Sequence, residues 1–159
     1  MAKNIKVEVN SIRLEESSET PVLLLLDPSS NKVLPIWIGT IEAVSIAYAQ
    51  EGILHQRPQT HDLLINIIEA MECSIKEVNI SDIQDNTYYA NILLSTNNGE
   101  ITLSSRPSDA IAIALRSNIN VTVNEDVFIN NSIDILYDNI DEIEEFKNFI
   151  DTIKPEDFS

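Results

Sequence analysis

One cysteine, three glycines and one tryptophan are all that 159 residues provide of three structurally decisive types. Cys73 has no second cysteine to pair with, so an internal disulfide is excluded, and a reducing compartment is the simple expectation. Its place on an apolar helical pattern reads as core, not as a nucleophile. There is no P-loop, no dinucleotide fingerprint, no HExxH and no Cys/His metal spacing. The longest apolar run, VLLLL at 22–26, is far too short to cross a bilayer. The opening MAKNIKVEVN lacks an apolar signal region, so no secretory signal is expected and the location expected is cytoplasmic. Bases are scarce as well. Ten Lys and Arg face 26 Asp and Glu, a net charge of −16. A broad nucleic-acid-binding surface depends on cations that neutralise phosphates, so the balance argues against one and leaves room only for transient contact.

What is present is enough for one domain with a real core: 43% of residues are hydrophobic. Alternation at Ile5, Val7 and Val9 predicts a strand, and VLLLL, DPSSNK and VLPIWI predict a hairpin at 22–38. Trp37 falls in the apolar return strand and reads as core. A helix is expected from Thr40 to about Glu51, closed by Gly52. His55, in the loop that follows, reads as solvated. A second helix is expected from Thr60 to about Met71, with Leu63, Leu64, Ile67, Ile68 and Met71 on one face. A strand at 74–80, a hairpin at 88–105 around Asn98-Gly99, a helix at 107–117 and a short strand at 120–123 complete the domain. Ile140, Ile143, Phe146, Phe149, Ile150 and Ile153 predict an amphipathic tail helix with an acidic outer face. The division expected is a domain at 1–137 and an acidic helical tail at 138–159.

Residues 22–49 slide onto 89–116 without a gap, an offset of 67. Hairpin falls on hairpin, Gly39 on Arg106, and Glu42-Ala43 on Asp109-Ala110. The expected fold is therefore α+β: a mixed sheet packed with helices, from two related strand–turn–strand–helix units plus the tail helix.

Two of the four arginines precede a proline, in RPQTHDLL at 57–64 and RPSDAIAIAL at 106–115. Thr60 and Ser108 are candidates to cap the helices that follow. Two readings fit the same residues. In one, helix N-termini and the guanidinium groups of Arg57 and Arg106 hold a phosphate. His61 then moves a proton, and the carboxylates of Glu42, Asp62 and Asp109 hold a divalent Mg or Mn. In the other, the acids serve the helix dipoles and pair with the arginines, and His61 is a satisfied buried histidine.

The ordered set LPIWIGTIEAVSIAYA, RPQTHDLL, TYYANILL and SRPSDAIAIALR resembles the bifunctional nuclease (BFN) domain family. The likeness covers roughly residues 5–128. It implies a compact α+β domain of bacterial or plant type associated with DNase and RNase activity. The residues that carry over by motif are Gly39, Glu42 and Ala43, then Arg57, Pro58, Thr60, His61 and Asp62, then Arg106, Pro107, Ser108, Asp109 and Arg116. Where the family usually has an acid two residues before the second RP motif, this chain has Ser104. The function expected is metal-assisted hydrolysis of phosphodiester bonds in DNA or RNA, with Glu42, Arg57, His61, Asp62, Arg106 and Asp109 as the site. The alternative is a non-catalytic interaction or scaffold domain whose RP motifs are structural. A homo-oligomer is expected from the apolar face of the tail helix, and no membrane partner.

Overall fold

A computed structural model of the chain describes residues 3–135. The expected tail helix, and the acidic segment from 138 onward, lie outside the described residues.

Strand β1 (Asn4–Leu14) begins on the expected alternation, with Val7 buried. A register shift between Val9 and Ser11 then moves the inward position to Ile12. One extra residue in a strand exchanges its faces, which is how an eleven-residue strand keeps apolar contacts after its odd-numbered pattern ends. Strands β2 (Pro21–Asp27) and β3 (Lys32–Trp37) form the first hairpin and lead into helix α1 (Thr40–Gln50). Helix α2 (Thr60–Ala70) crosses to strand β4 (Ser74–Gln84), which carries its own shift between Ile75 and Glu77. Strands β5 (Thr87–Thr96) and β6 (Gly99–Ser105) form the second hairpin and lead into helix α3 (Pro107–Ser117). Strand β7 (Val121–Asn124), helix α4 (Glu125–Asn131) and the two-residue strand β8 (Ile133–Asp134) follow.

The sheet has eight strands in the order β6-β5-β4-β7-β1-β2-β3-β8. Each half is a three-stranded antiparallel meander, and β7 joins them, antiparallel to β1 and parallel to β4. The offset of 67 read in the sequence carries α1 (40–50) onto α3 (107–117) end for end. Both helices lie over the same core, where Ala43 and Ala47 of α1 and Ala110 and Ala114 of α3 are buried. Side chains this small let α1 pack against α3 while both touch the sheet.

Four local expectations need correction. Trp37 is 53% exposed and its indole N–H donates to Glu15 Oε2 at 3.0 Å. Leu34 and Ile36 hold the inward positions of β3, so alternation turns residue 37 outward. Helix α2 faces the core with His61, Ile65 and Ile68, leaving Leu63, Leu64, Ile67 and Met71 exposed. His61 and Asp62 bond to residues of α1 and α3, and those polar contacts set the helix rotation. Cys73 is half-buried just after α2 and does not join the core. His55 is half-buried, its ring edge-on to Tyr48 at 4.8 Å between centroids. Helix α4 was not anticipated; Asn124 opens it by accepting from the Asp126 N–H at 3.0 Å, and Val127 and Phe128 join the core.

Candidate active site

Glu42, Asp62 and Asp109 each stand at the third residue of a helix: α1, α2 and α3 respectively. A carboxylate there faces the unpaired N–H groups and the positive end of the helix dipole. Asp62 uses the position fully, since its Oδ2 accepts from the Gln59 backbone N–H at 2.9 Å. Thr60 and Ser108 do not cap. Gln59 and Arg106 occupy the cap positions, and Thr60 and Ser108 lie inside their helices.

The three acids are joined through cations and an imidazole. Arg106 donates from Nε to Asp109 Oδ2 at 2.8 Å, from Nη2 to Asp109 Oδ1 at 3.1 Å and from Nη1 to Glu42 Oε1 at 3.0 Å. Gly39, the residue of the first unit that corresponds to Arg106, leaves room for the Glu42 carboxylate, which a Cβ there would push aside. His61 is buried and both its ring nitrogens are engaged, Nε2 with Asp109 Oδ1 at 2.9 Å and Nδ1 with Ser45 Oγ at 2.8 Å. Arg116 closes the far end. Its Nε donates to Asp62 Oδ1 at 2.8 Å, and its Nη2 donates to Ser45 O and Ser45 Oγ, both at 3.1 Å.

A guanidinium can only donate, so Ser45 Oγ accepts from Arg116 and its own hydrogen is free for His61. An imidazole with its lone pair at Nδ1 and its N–H at Nε2, directed at Asp109, satisfies both partners. Burial alone would raise the Asp109 carboxyl, but the Arg106 and His61 hydrogen bonds outweigh it and hold the group below the ordinary carboxylate value. Hydrogen bonds to Asp109 and Glu42 raise the Arg106 guanidinium in turn. Arg106 has a 63% exposed side chain. Three of its five N–H groups are used, and two remain for a ligand.

This cluster forms one wall of a cavity of about 790 Å³. Glu42, Ser45, His61, Arg106, Asp109 and Arg116 line that wall, and the remainder joins apolar side chains such as Val44, Ile68, Ile92, Leu103 and Ile113 to Gln59, Thr60 and Ser105. A concave, largely apolar cavity with a few convergent polar groups is the form that small-molecule and catalytic sites take. Ser104, where the family resemblance leads one to expect an acid, also lines it.

The family model of the bifunctional nuclease domain matches residues 23–135. This chain belongs to the bifunctional nuclease domain family. An uncharacterized protein of Mycobacterium tuberculosis is 41% identical over 162 residues, spanning 96% of this chain and 97% of its own length. Bifunctional nuclease 1 of Oryza sativa subsp. japonica is 26% identical over 141 residues, which cover 84% of this chain and 43% of the rice protein. Bifunctional nuclease 1 of Arabidopsis thaliana is 26% identical over 107 residues, 65% of this chain and 33% of its own.

Within this bifunctional nuclease domain, five of the six expected site residues are joined in one network: Glu42, His61, Asp62, Arg106 and Asp109. Arg57 is not among them. It is exposed on the loop before α2, and among the described residues its side chain makes no hydrogen bond or ion pair. The place beside Asp62 belongs to Arg116, from the last turn of α3. The expected metal set of Glu42, Asp62 and Asp109 does not fit a cation as it stands. Both oxygens of Asp62 and of Asp109, and one of Glu42, already accept from N–H donors. Among the described residues no three His, Cys, Asp or Glu side chains are grouped to hold a metal ion. Ser45 was missed. Its signal was its spacing, three residues after Glu42 and hence on the same face of α1.

Proposed function

We propose that this domain hydrolyses phosphodiester bonds in DNA or RNA in the cavity beside Arg106, His61 and Asp109. One observation carries the reading. His61 has both ring nitrogens held, Nδ1 by the Ser45 hydroxyl and Nε2 by the Asp109 carboxylate, and all three residues line the cavity. An oriented imidazole of this kind does general acid–base work. Arg106, with two N–H groups to spare, would hold a phosphate oxygen, and Asp109 keeps both groups in place. The nucleic acid would be met transiently, because the net charge of −16 repels a polyanion. Mg or Mn would enter only by displacing Arg106 from Glu42 and Asp109, and no step here depends on either. The test is cleavage of single-stranded DNA and RNA by the purified protein, with and without divalent metal, beside Arg106→Ala and His61→Ala. Parent cleavage that both variants retain in full would end the reading.

A scaffold role is the second reading, and the N-terminal placement of all three acids favours it. On that reading the network only ties α1, α2 and α3 together. No cleavage by the parent under any metal, with a large loss of stability in Asp62→Ala, would select it. As a further part of the proposal, the protein works in the cytoplasm as a homo-oligomer. Within the described residues, the exposed apolar face of α2 supports the association.

A further inference from the structure

We infer that Ser45 is the nucleophile of this cavity and that cleavage passes through a phosphoryl–serine intermediate. The inference rests on the phosphodiester reading and replaces the metal-activated water that the carboxylates are not arranged to supply.

Ser45 lies in mid-helix on α1, lines the cavity, and has its hydroxyl between two groups that activate it. The His61 Nδ1 lone pair, 2.8 Å away, takes the hydroxyl hydrogen. The Arg116 N–H at 3.1 Å stabilises the oxyanion that remains. Asp109 steadies the imidazolium from the opposite nitrogen at 2.9 Å. This is the logic of a nucleophile, a base and an orienting acid, with the two ring nitrogens exchanged relative to the serine-protease arrangement. Glu42, to which Arg106 is bound, stands three residues before Ser45, so guanidinium and hydroxyl approach the cavity about one helical turn apart. In this proposal the phosphoryl group lies between them. A serine that merely bridged helices would need neither a lone pair opposite its proton nor an opening to the cavity.

The steps balance. Ser45 Oγ attacks phosphorus as its proton passes to His61 Nδ1. The bond from phosphorus to one ester oxygen breaks, and that oxygen leaves as an alcohol with the proton returned from His61. Water then gives a proton to His61 and attacks phosphorus, the bond to Ser45 Oγ breaks, and Ser45 recovers its hydrogen. Diester and water become monoester and alcohol.

The test uses a short-chain alkyl fluorophosphonate on the full protein, read by peptide mass spectrometry. The expected result is one adduct, on Ser45, lost in Ser45→Ala. No adduct on Ser45 overturns the inference, and the unaltered protein decides this even if the variant fails to fold. A second arm follows a single-stranded oligonucleotide with one chiral phosphorothioate linkage, cleaved in water labelled with heavy oxygen so that the product phosphorus is itself chiral. Two displacements retain configuration at phosphorus, and a single attack by water inverts it. Ser45→Ala should lose about 100-fold or more in cleavage rate. Inversion, or cleavage by Ser45→Ala within about threefold of the parent, removes Ser45 as nucleophile while phosphodiester hydrolysis stands. A Ser45 adduct in a protein that cleaves no nucleic acid sinks the phosphodiester reading and keeps an activated serine for another ester.

Discussion

Asp62 and Asp109 hold the same helical position, yet their removal should cost different amounts. Asp62 pairs with Arg116, whose side chain is 10% exposed. Asp62→Ala would leave that guanidinium buried without its counter-charge, at about 3–5 kcal/mol. Asp109→Ala frees Arg106, which is exposed and still holds Glu42, and strips the partner from buried His61 Nε2. One unsatisfied buried group costs about 1–3 kcal/mol. Urea denaturation of both variants should therefore rank Asp62→Ala as the weaker protein, and the reverse order would show that the energetic centre lies at Arg106. The pH dependence has a definite sign. Asp109 is held below its ordinary value of 3.8, so its stabilisation is complete above that value and is lost as pH falls through the lower, folded one. Stability measured from pH 6 down to about pH 3 should fall less steeply in Asp109→Asn than in the parent. Equal slopes would place the acid sensitivity elsewhere. The acids were legible in the sequence because a carboxylate in a first helical turn has a local reason to be there. Arg116 was marked only by the family motif, with no partner assigned, and Ser45 not at all, because what binds them is sequence-distant: Asp62 lies 54 residues from Arg116, and His61 lies 16 from Ser45.

The hairpin–helix units show how far pattern reaches at the scale of elements. The starts of α1 and α3 fall where they were expected, because each carries its own cue, Gly39 before one helix and Arg106 before Pro107 at the other, while the end of α1, expected at about Glu51, falls at Gln50. Periodicity placed α2 correctly along the chain and misjudged its rotation. Its apolar residues form a stripe, but His61 and Asp62 are anchored to α1 and α3, and that anchoring leaves most of the stripe outside. Trp37 failed for a similar reason, since composition marks a strand as apolar without saying which parity faces in. The packing reading is testable at Ala110, which is fully buried where α3 meets the sheet and α1. Ala110→Leu should cost about 1–3 kcal/mol by overpacking. Ile41→Ala, on the exposed side of α1, should stay within about 0.5 kcal/mol of the parent. If both variants melted with the parent, α1 and α3 would not be in the close contact their alanines allow.

Among the described residues, the outer face of α2 and the edge strand β6 leave apolar groups in water. Leu63, Leu64, Ile67 and Met71 are exposed on the helix, and Ile101 and Leu103 on a strand whose residues Gly99–Leu103 are all exposed. Clusters of that kind mark surfaces that bury against something else, and an unpaired edge strand invites a further strand. Self-association is the expectation, and the charge predicts how it should respond to salt. Two copies of a chain carrying −16 repel each other, and at about 0.1 M salt such repulsion is screened beyond roughly 10 Å. Sedimentation should show a larger species that strengthens as salt rises from about 0.02 M to about 0.5 M. Cation-driven nucleic-acid binding weakens steeply over the same range. Leu63→Glu combined with Ile67→Glu should give a monomer that melts close to the parent's own monomer, since neither side chain is in the core. A parent that stays monomeric at high micromolar concentration in high salt would show that this face has no second copy to meet. A dimer that survives the double substitution would place the contact elsewhere.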